Sequence, residues 1–260
     1  MLENVVLGLL CTSILTLLFA ANVQGASLTL SMSSQDAPIN STFPDWNYGA
    51  NTYLDIGATF GIFHRALVQF NLPPELSGAT ITSATLSLYY GSPWTAGGFP
   101  AGTIIRACRV THDWTEGTGK TGAHTLDGVT WNEYNYFDGL TTATNDWSTT
   151  GGDYTLTDSS TVTGPFTAPV WMSWTVTNIV QGWASGAYPN HGFLIKLDPE
   201  AGSPPIGGGF GSKESTIFLP PKLEITYIAP TGVPELAVTV PVVASIATAA
   251  YLIIKKRISR

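Results

Sequence analysis

The residues able to do chemistry are scattered. Four histidines, His64, His112, His124 and His191, stand apart, and no His-Glu-x-x-His, Gly-x-Ser-x-Gly, phosphate-loop or Cys-x-x-Cys motif occurs. His112-Asp113 has the types of an acid–base pair, but a surface turn is the simpler reading. Glycoside hydrolysis needs two carboxylates roughly 5–10 Å apart. Asp113, Glu116 and Asp153 come nearest to such a set, and nothing in their spacing singles them out. The chain therefore reads as a non-enzyme. Its aromatics are more informative. Trp94, Trp131, Tyr134 and Tyr136 fall in or beside loop-like stretches, and Trp131-Asn-Glu-Tyr134-Asn-Tyr136-Phe137-Asp138 mixes rings with amides and carboxylates. Rings stack on the C–H faces of sugars while the polar neighbours take hydroxyls, so these four are candidate carbohydrate contacts; the alternative is that such rings plug the ends of a sheet fold. Asp36, Asp153 and Glu214 are candidates for a structural Ca2+, although no regular Ca2+ loop is present. Asn40-Ser-Thr42 is the single N-glycosylation sequon.

The elements that must position these residues are strands. Alternating apolar and polar residues with β-branched and aromatic enrichment mark residues 27–33, 52–57, 65–70, 81–90, 103–111, 170–176, 192–197 and 222–228. In the fourth of these, Ala84, Leu86, Leu88 and Tyr90 share one face, with Thr85, Ser87 and Tyr89 on the other. One stretch has helical spacing: Val176, Ile179, Val180 and Trp183, with Thr177 placed to cap it. Strand signals thin out over residues 114–169, which read as long loops with a short hairpin or two. The pattern predicts an all-β antiparallel jelly-roll sandwich with one short helix.

The ends set the expected compartment. Residues 5–21 form an apolar stretch followed by Val23-Gln-Gly25, as in a cleaved signal peptide over residues 1–25; an n-region with Glu3 and no Lys or Arg leaves an uncleaved N-terminal anchor as the alternative. Residues 236–254 are a continuous apolar run of 19 without charge, about 30 Å as a helix, followed by the basic tail 255–260. Basic residues stay cytoplasmic, which places the domain of residues 26–229, and the linker 230–235, outside the cell. Of 18 acidic and 11 basic residues, Glu3, Glu235, Lys255, Lys256, Arg257 and Arg260 lie outside residues 26–230, leaving 16 and 7, a net charge of −9. That balance argues against nucleic acid as a partner. Cys108 is the one cysteine after the signal region, so no internal disulfide is expected.

An ordered set of landmarks runs through the domain: Asn47-Tyr-Gly49, Leu54-Asp-Ile-Gly57, Arg65-Ala-Leu-Val-Gln-Phe70, Val110-Thr-His-Asp-Trp114-Thr-Glu-Gly117, Val129-Thr-Trp131, Val176-Thr-Asn-Ile-Val-Gln-Gly-Trp183, Asn190-His-Gly-Phe-Leu-Ile195, Phe210-Gly-Ser-Lys-Glu214 and Pro221-Lys-Leu-Glu-Ile-Thr-Tyr227. Together they resemble the DNRLRE domain, the group overlapping carbohydrate-binding module family 96 and the disaggregatase-related repeats of methanogenic archaea. The eponymous sequence itself is absent, and Trp174-Thr175 stands where the family often has an acidic residue. The resemblance implies a jelly roll that binds polysaccharide or cell-envelope glycan, or serves as a cell-surface module. Self-assembly into an envelope structure is the alternative. The tail Val233-Pro-Glu-Leu236, apolar helix and Lys255-Lys-Arg257 is similar to archaeal PEF-type sorting signals. That likeness implies cleavage at Pro234-Glu235 by an archaeosortase and transfer to a lipid; the alternative is a permanent membrane helix.

Overall fold

The computed structural model describes residues 25–230 apart from 122, 124, 126, 138–144 and 203. The expected signal peptide, the apolar run 236–254, the basic tail, and Pro234 and Glu235 all lie outside the described residues. Among the described residues no helix is long and apolar enough to cross a membrane.

Among the described residues thirteen strands are formed: β1 (Ala26–Leu30), β2 (Gln35–Asn40), β3 (Tyr53–Thr59), β4 (Ile62–Gln69), β5 (Thr80–Pro93), β6 (Ile104–Val110), β7 (Asp127–Gly128), β8 (Tyr136–Phe137), β9 (Tyr154–Thr163), β10 (Val170–Thr175), β11 (Phe193–Leu197), β12 (Ile206–Gly211) and β13 (Lys222–Ile228). Eleven make one antiparallel sheet in the order β1-β13-β5-β12-β3-β4-β11-β6-β9, with β10 added on β5 and β2 on β4. The 14 residues of β5 serve three partners: β13 along Thr80–Ser87, β10 along Thr85–Tyr90 and β12 along Tyr90–Pro93. The β3–β4 hairpin turns on Phe60 and Gly61, with φ of 48° and 84°. Two successive positive φ values match the type I′ twist that a two-residue hairpin favours.

Alternation decides what each strand buries. Leu54 and Ile56 of β3, Ala66 and Val68 of β4, Leu86, Leu88 and Tyr90 of β5, Ile105 of β6, Trp174 of β10, Phe193 and Ile195 of β11, Phe210 of β12 and Leu223 of β13 meet in one cluster. Strands far apart in the order meet there only because the sheet curls upon itself. The helix α1 (Thr177–Ala184) closes this core with Ile179, Val180 and Trp183. Thr177 does not cap it. Its hydroxyl accepts from the Ala84 amide at 3.0 Å, and Gln181 accepts from Ile81 N (2.8 Å) and donates to Ala79 O (3.2 Å), so α1 is pinned to β5 by side chains.

A second core lies on another face. Ala37, Ile39, Leu67, Leu194 and Val110 are covered by Trp114, Val129, Trp131 and Trp147 from the long Trp-rich segment. That segment is therefore mostly a lid, and up to residue 153 its described residues have only the two-residue strands β7 and β8 and isolated bridges as regular structure. Its end is not loop: residues 154–163 form β9, paired with β6. Arg65 of β4 ties the lid down. It forks onto Glu200 (2.8 and 2.7 Å), donates to Gly151 O (2.6 Å), and lies 4.7 Å over the Trp131 ring. Cys108 is fully buried, and burial pushes its thiol up to about 11.

Trp183 is 8% exposed and packs edge-on against Phe193 at 4.9 Å. Trp183→Ala should lower unfolding free energy by about 3–5 kcal/mol in a urea titration, as for other truncated buried rings. An unchanged midpoint would show that the ring contributes no packing.

Candidate functional site

The solvent face of β3, β12, β5 and β10 collects rings. Tyr53, Asp55 and Gly57 point away from the core side of β3, as do Gly207, Gly209 and Gly211 on β12 and Tyr89 and Gly91 on β5. The glycines make a floor. A Cβ at Gly57 or Gly207 would collide with the Trp94 ring, and one at Gly91 with the Phe218 ring. The rings then touch in series: Tyr53–Phe218 at 5.6 Å, Phe218–Tyr89 at 6.2 Å and Tyr89–Trp171 at 5.2 Å, with Lys222 Nζ 5.0 Å from the Trp171 ring. All are half-buried, and Ile217 and Leu219 beside Phe218 are 72% and 51% exposed. At the Trp94 end, the indole N–H donates to Asp55 Oδ1 at 3.3 Å and His64 meets the ring edge-on at 4.8 Å. Burial raises the Asp55 carboxyl and holds His64 down to about 4.

A separate cluster joins three carboxylates. Asp36 of β2, Glu116 from the segment after β6 and Glu214 just past β12 each place an oxygen within 4.8 Å of the others. Asp36 Oδ2 accepts from Ser33 Oγ and from Lys213 N (3.0 Å); its own amide donates to Glu116 Oε1 (2.7 Å). The Lys213 ammonium lies 2.9 Å from Glu116 Oε2 and against Glu214 Oε1. Burial pushes Asp36 up to about 7, aided by the charges of Glu214 and Glu116. Burial also raises Glu116, against the pull of Lys213.

The remaining sequence candidates go elsewhere. Trp131 is 8% exposed and sandwiched between Arg65 and Phe63; Tyr136 is 9% exposed on β8. Trp131 belongs to the lid over the second core, while Tyr136 is buried on β8. The lid must supply large apolar area to cover Leu67 and Leu194. Glu133 between them is also buried, and desolvation with Asp146 and Asp45 pushes it up to about 7. Tyr134 is half-buried against His112 (4.0 Å) and Trp147 (5.9 Å). Asp153 does not join Asp36 and Glu214: it accepts from Ser148 N and Oγ (both 2.9 Å) and Thr149 N (3.0 Å), holding a turn. Asn40 closes the end of β2 by accepting from Thr42 and Phe43 amides at 3.1 Å. His112 Nδ1 faces the Asp113 carbonyl at 2.8 Å, while the Asp113 carboxylate lies 3.5 Å from His191 Nδ1. Only Trp94 of the four ring candidates reaches the aromatic face. Tyr53, Tyr89, Trp171 and Phe218 escaped sequence reading, although Tyr89 already stood on the outward face of its strand.

His64 gives this face a pH signature. The folded state refuses a proton that the unfolded chain accepts near its ordinary 6.5, so the group contributes stability above that pH. That contribution is lost as pH falls through the window towards about 4. His64→Gln should therefore lose less melting temperature than wild type between about pH 7 and about pH 4.5. Equal losses would show that the imidazole is protonated in place at no cost.

No curated protein matches the chain. Residues 36–204, more than half of its length, match the disaggregatase related repeat domain. That span carries β2 through β11, and with them the lid, Trp94, Tyr89, Trp171 and the first two carboxylates of the cluster. The chain belongs to the disaggregatase-related repeat family.

Proposed function

We propose that the domain is a non-catalytic jelly-roll module of the cell surface that binds an envelope or matrix polysaccharide along its aromatic face, in adhesion or aggregation. The observation that carries this reading is the series Tyr53–Phe218–Tyr89–Trp171, extended by Trp94 on the same glycine floor. Neighbouring rings at 5–6 Å, half-exposed and flanked by Asp55 and Lys222, suit a linear chain of sugars whose C–H faces stack while hydroxyls meet polar groups. The sequence likeness to carbohydrate-binding module family 96 and DNRLRE domains supports the same ligand class. Self-assembly through sheet edges is the weaker reading. The terminal strand β9 carries a register shift against β6, and Asp158 within it has φ of 61°; both distort the edge that strand pairing would use. Attachment follows the tail: either an archaeosortase cuts at Pro234-Glu235 and a lipid holds the protein, or residues 236–254 stay as a membrane helix.

Two measurements check this. The double variant Tyr89→Ala/Trp171→Ala of the full chain should bind polysaccharide at least about tenfold more weakly in affinity gel electrophoresis, at ~1 kcal/mol per ring, with near-ultraviolet dichroism of the buried core retained. Because stacking carries little charge, moderate salt should change wild-type binding little. Undiminished binding in the variant would remove the face from the argument. For the anchor, mass spectrometry of protein from its native membrane should find a lipid-bearing C-terminus near Pro234-Glu235; recovery of the Lys255–Arg260 peptide in bulk would establish the permanent helix instead.

A further inference from the structure

We infer that Asp36, Glu116 and Glu214 form a binding site for a divalent, calcium-like cation, which fixes the segment that carries Phe218. Three carboxylates from positions 80 and 98 residues apart in sequence converge within 4.8 Å. Lys213 answers only part of that charge. Its ammonium contacts Glu116 Oε2 and Glu214 Oε1 and no oxygen of Asp36 among the described residues. Three carboxylates against one ammonium leave a formal charge of −2, which one divalent cation balances.

The second observation is independent of that convergence. Asp36 is 1% exposed, and its Oδ1 receives no hydrogen bond from the described residues; Glu214 Oε2 is likewise buried without a donor. Every other oxygen of Asp36 and Glu116 is engaged, by Ser33, the Lys213 amide, the Asp36 amide and the Lys213 ammonium. A buried carboxylate oxygen without a donor is costly, and a cation satisfies it where no N–H can reach. An all-oxygen set from one strand and two irregular segments suits Ca2+, which accepts variable geometry, over Mg2+, which demands an octahedron.

The site's reach follows from the chain. Ser212 Oγ accepts from Glu214 N at 3.2 Å and donates to Asn51 O at 2.7 Å, while Ser215 Oγ accepts from Phe218 N at 3.0 Å. Holding Glu214 therefore holds the turn that lays Phe218 on Gly91 between Tyr53 and Tyr89.

The test is titration calorimetry and thermal melting of the chelator-stripped full chain with CaCl2 and no polysaccharide, so its outcome is separate from that of the sugar-binding reading. One Ca2+ per chain should bind and raise the melting temperature, with Mg2+ weaker. Asp36→Asn and Glu214→Gln should each weaken binding by at least about tenfold with dichroism unchanged. If Asp36→Asn fails to fold, the half-buried Glu214 decides the question. Absence of heat and of a melting shift in wild type, or wild-type affinity in Glu214→Gln, would overturn the site.

Discussion

The fork of Arg65 onto Glu200, with its third contact to Gly151 O and its flat face on Trp131, is the interaction on which the rest depends. It is a charge 8% exposed in a sheet face that otherwise presents Ala37, Ile39 and Leu67. Taking such a pair out of water is expensive, and removing one partner alone typically costs ~3–5 kcal/mol. What it secures is the lid. The segment that supplies Trp114, Trp131 and Trp147 has little regular ladder among its described residues, so it is held by scattered backbone bonds such as Val129 N to Thr115 O (2.6 Å) and Trp147 N to Asn132 O (3.0 Å), by packing, and by anchors such as Arg65. Gly151 can hug the guanidinium because its φ of 87° and missing Cβ leave room for Arg65 and the Trp131 ring.

Once the lid covers that face, the opposite solvent face of β3, β12, β5 and β10 is left for rings lying flat. Glycine-rich β12, Ile-Gly-Gly-Gly-Phe-Gly, is a poor strand by propensity, at ~0.5–1 kcal/mol for each glycine relative to alanine. Its cost is offset where Phe210 enters the core and where Trp94 lies over Gly207 with van der Waals contact across the ring. Rings seated this way are held rigid yet keep one face towards solvent, which suits stacking better than rings on mobile loops.

Most strands could be read from the sequence, because β3, β5 and β13 alternate with one apolar face while β4, β6 and β11 are rich in apolar residues that feed both cores. Three could not. β2 carries Asp36 and Pro38, both unfavourable in strands; proline is tolerated because β2 pairs with β4 alone. β9 is largely Thr and Ser, and β12 largely Gly. The carboxylate cluster is half legible: Asp36 and Glu214 stand out in the sequence as oxygen donors, nothing there singles out Glu116, and Asp153 holds a turn elsewhere. Local sequence shows that a residue is acidic and near a strand end. Convergence over 80 residues is a property of strand order, which alternation does not report. The same limit applies to Trp131 and Tyr136, whose burial the sequence does not report. A stretch mixing aromatics with Asn and Asp has one composition whether it opens as a binding loop or folds down as a lid, and only the uncovered Leu67 and Leu194 beneath it decide which.

The charges make one consistent pattern. Of the seven basic residues in 26–230, Arg65 and Lys196 face Glu200, Arg106 faces Asp198, Lys213 faces Glu116 and Glu214, Lys222 faces Glu224 and Trp171, and Arg109 lies 3.8 Å over the Tyr188 ring. Six of seven cations are thus engaged within the fold, while 16 carboxylates carry the opposite sign. The uncompensated field is negative, which repels polyanions and concentrates small cations at the surface. The proposed function and the proposed cation site draw on both features, neutral sugar faces for the rings and a cation for the carboxylates. The segment from Ser212 to Phe218 belongs to both, so the geometry of the ring series depends on how the buried charge of Asp36, Glu116 and Glu214 is balanced.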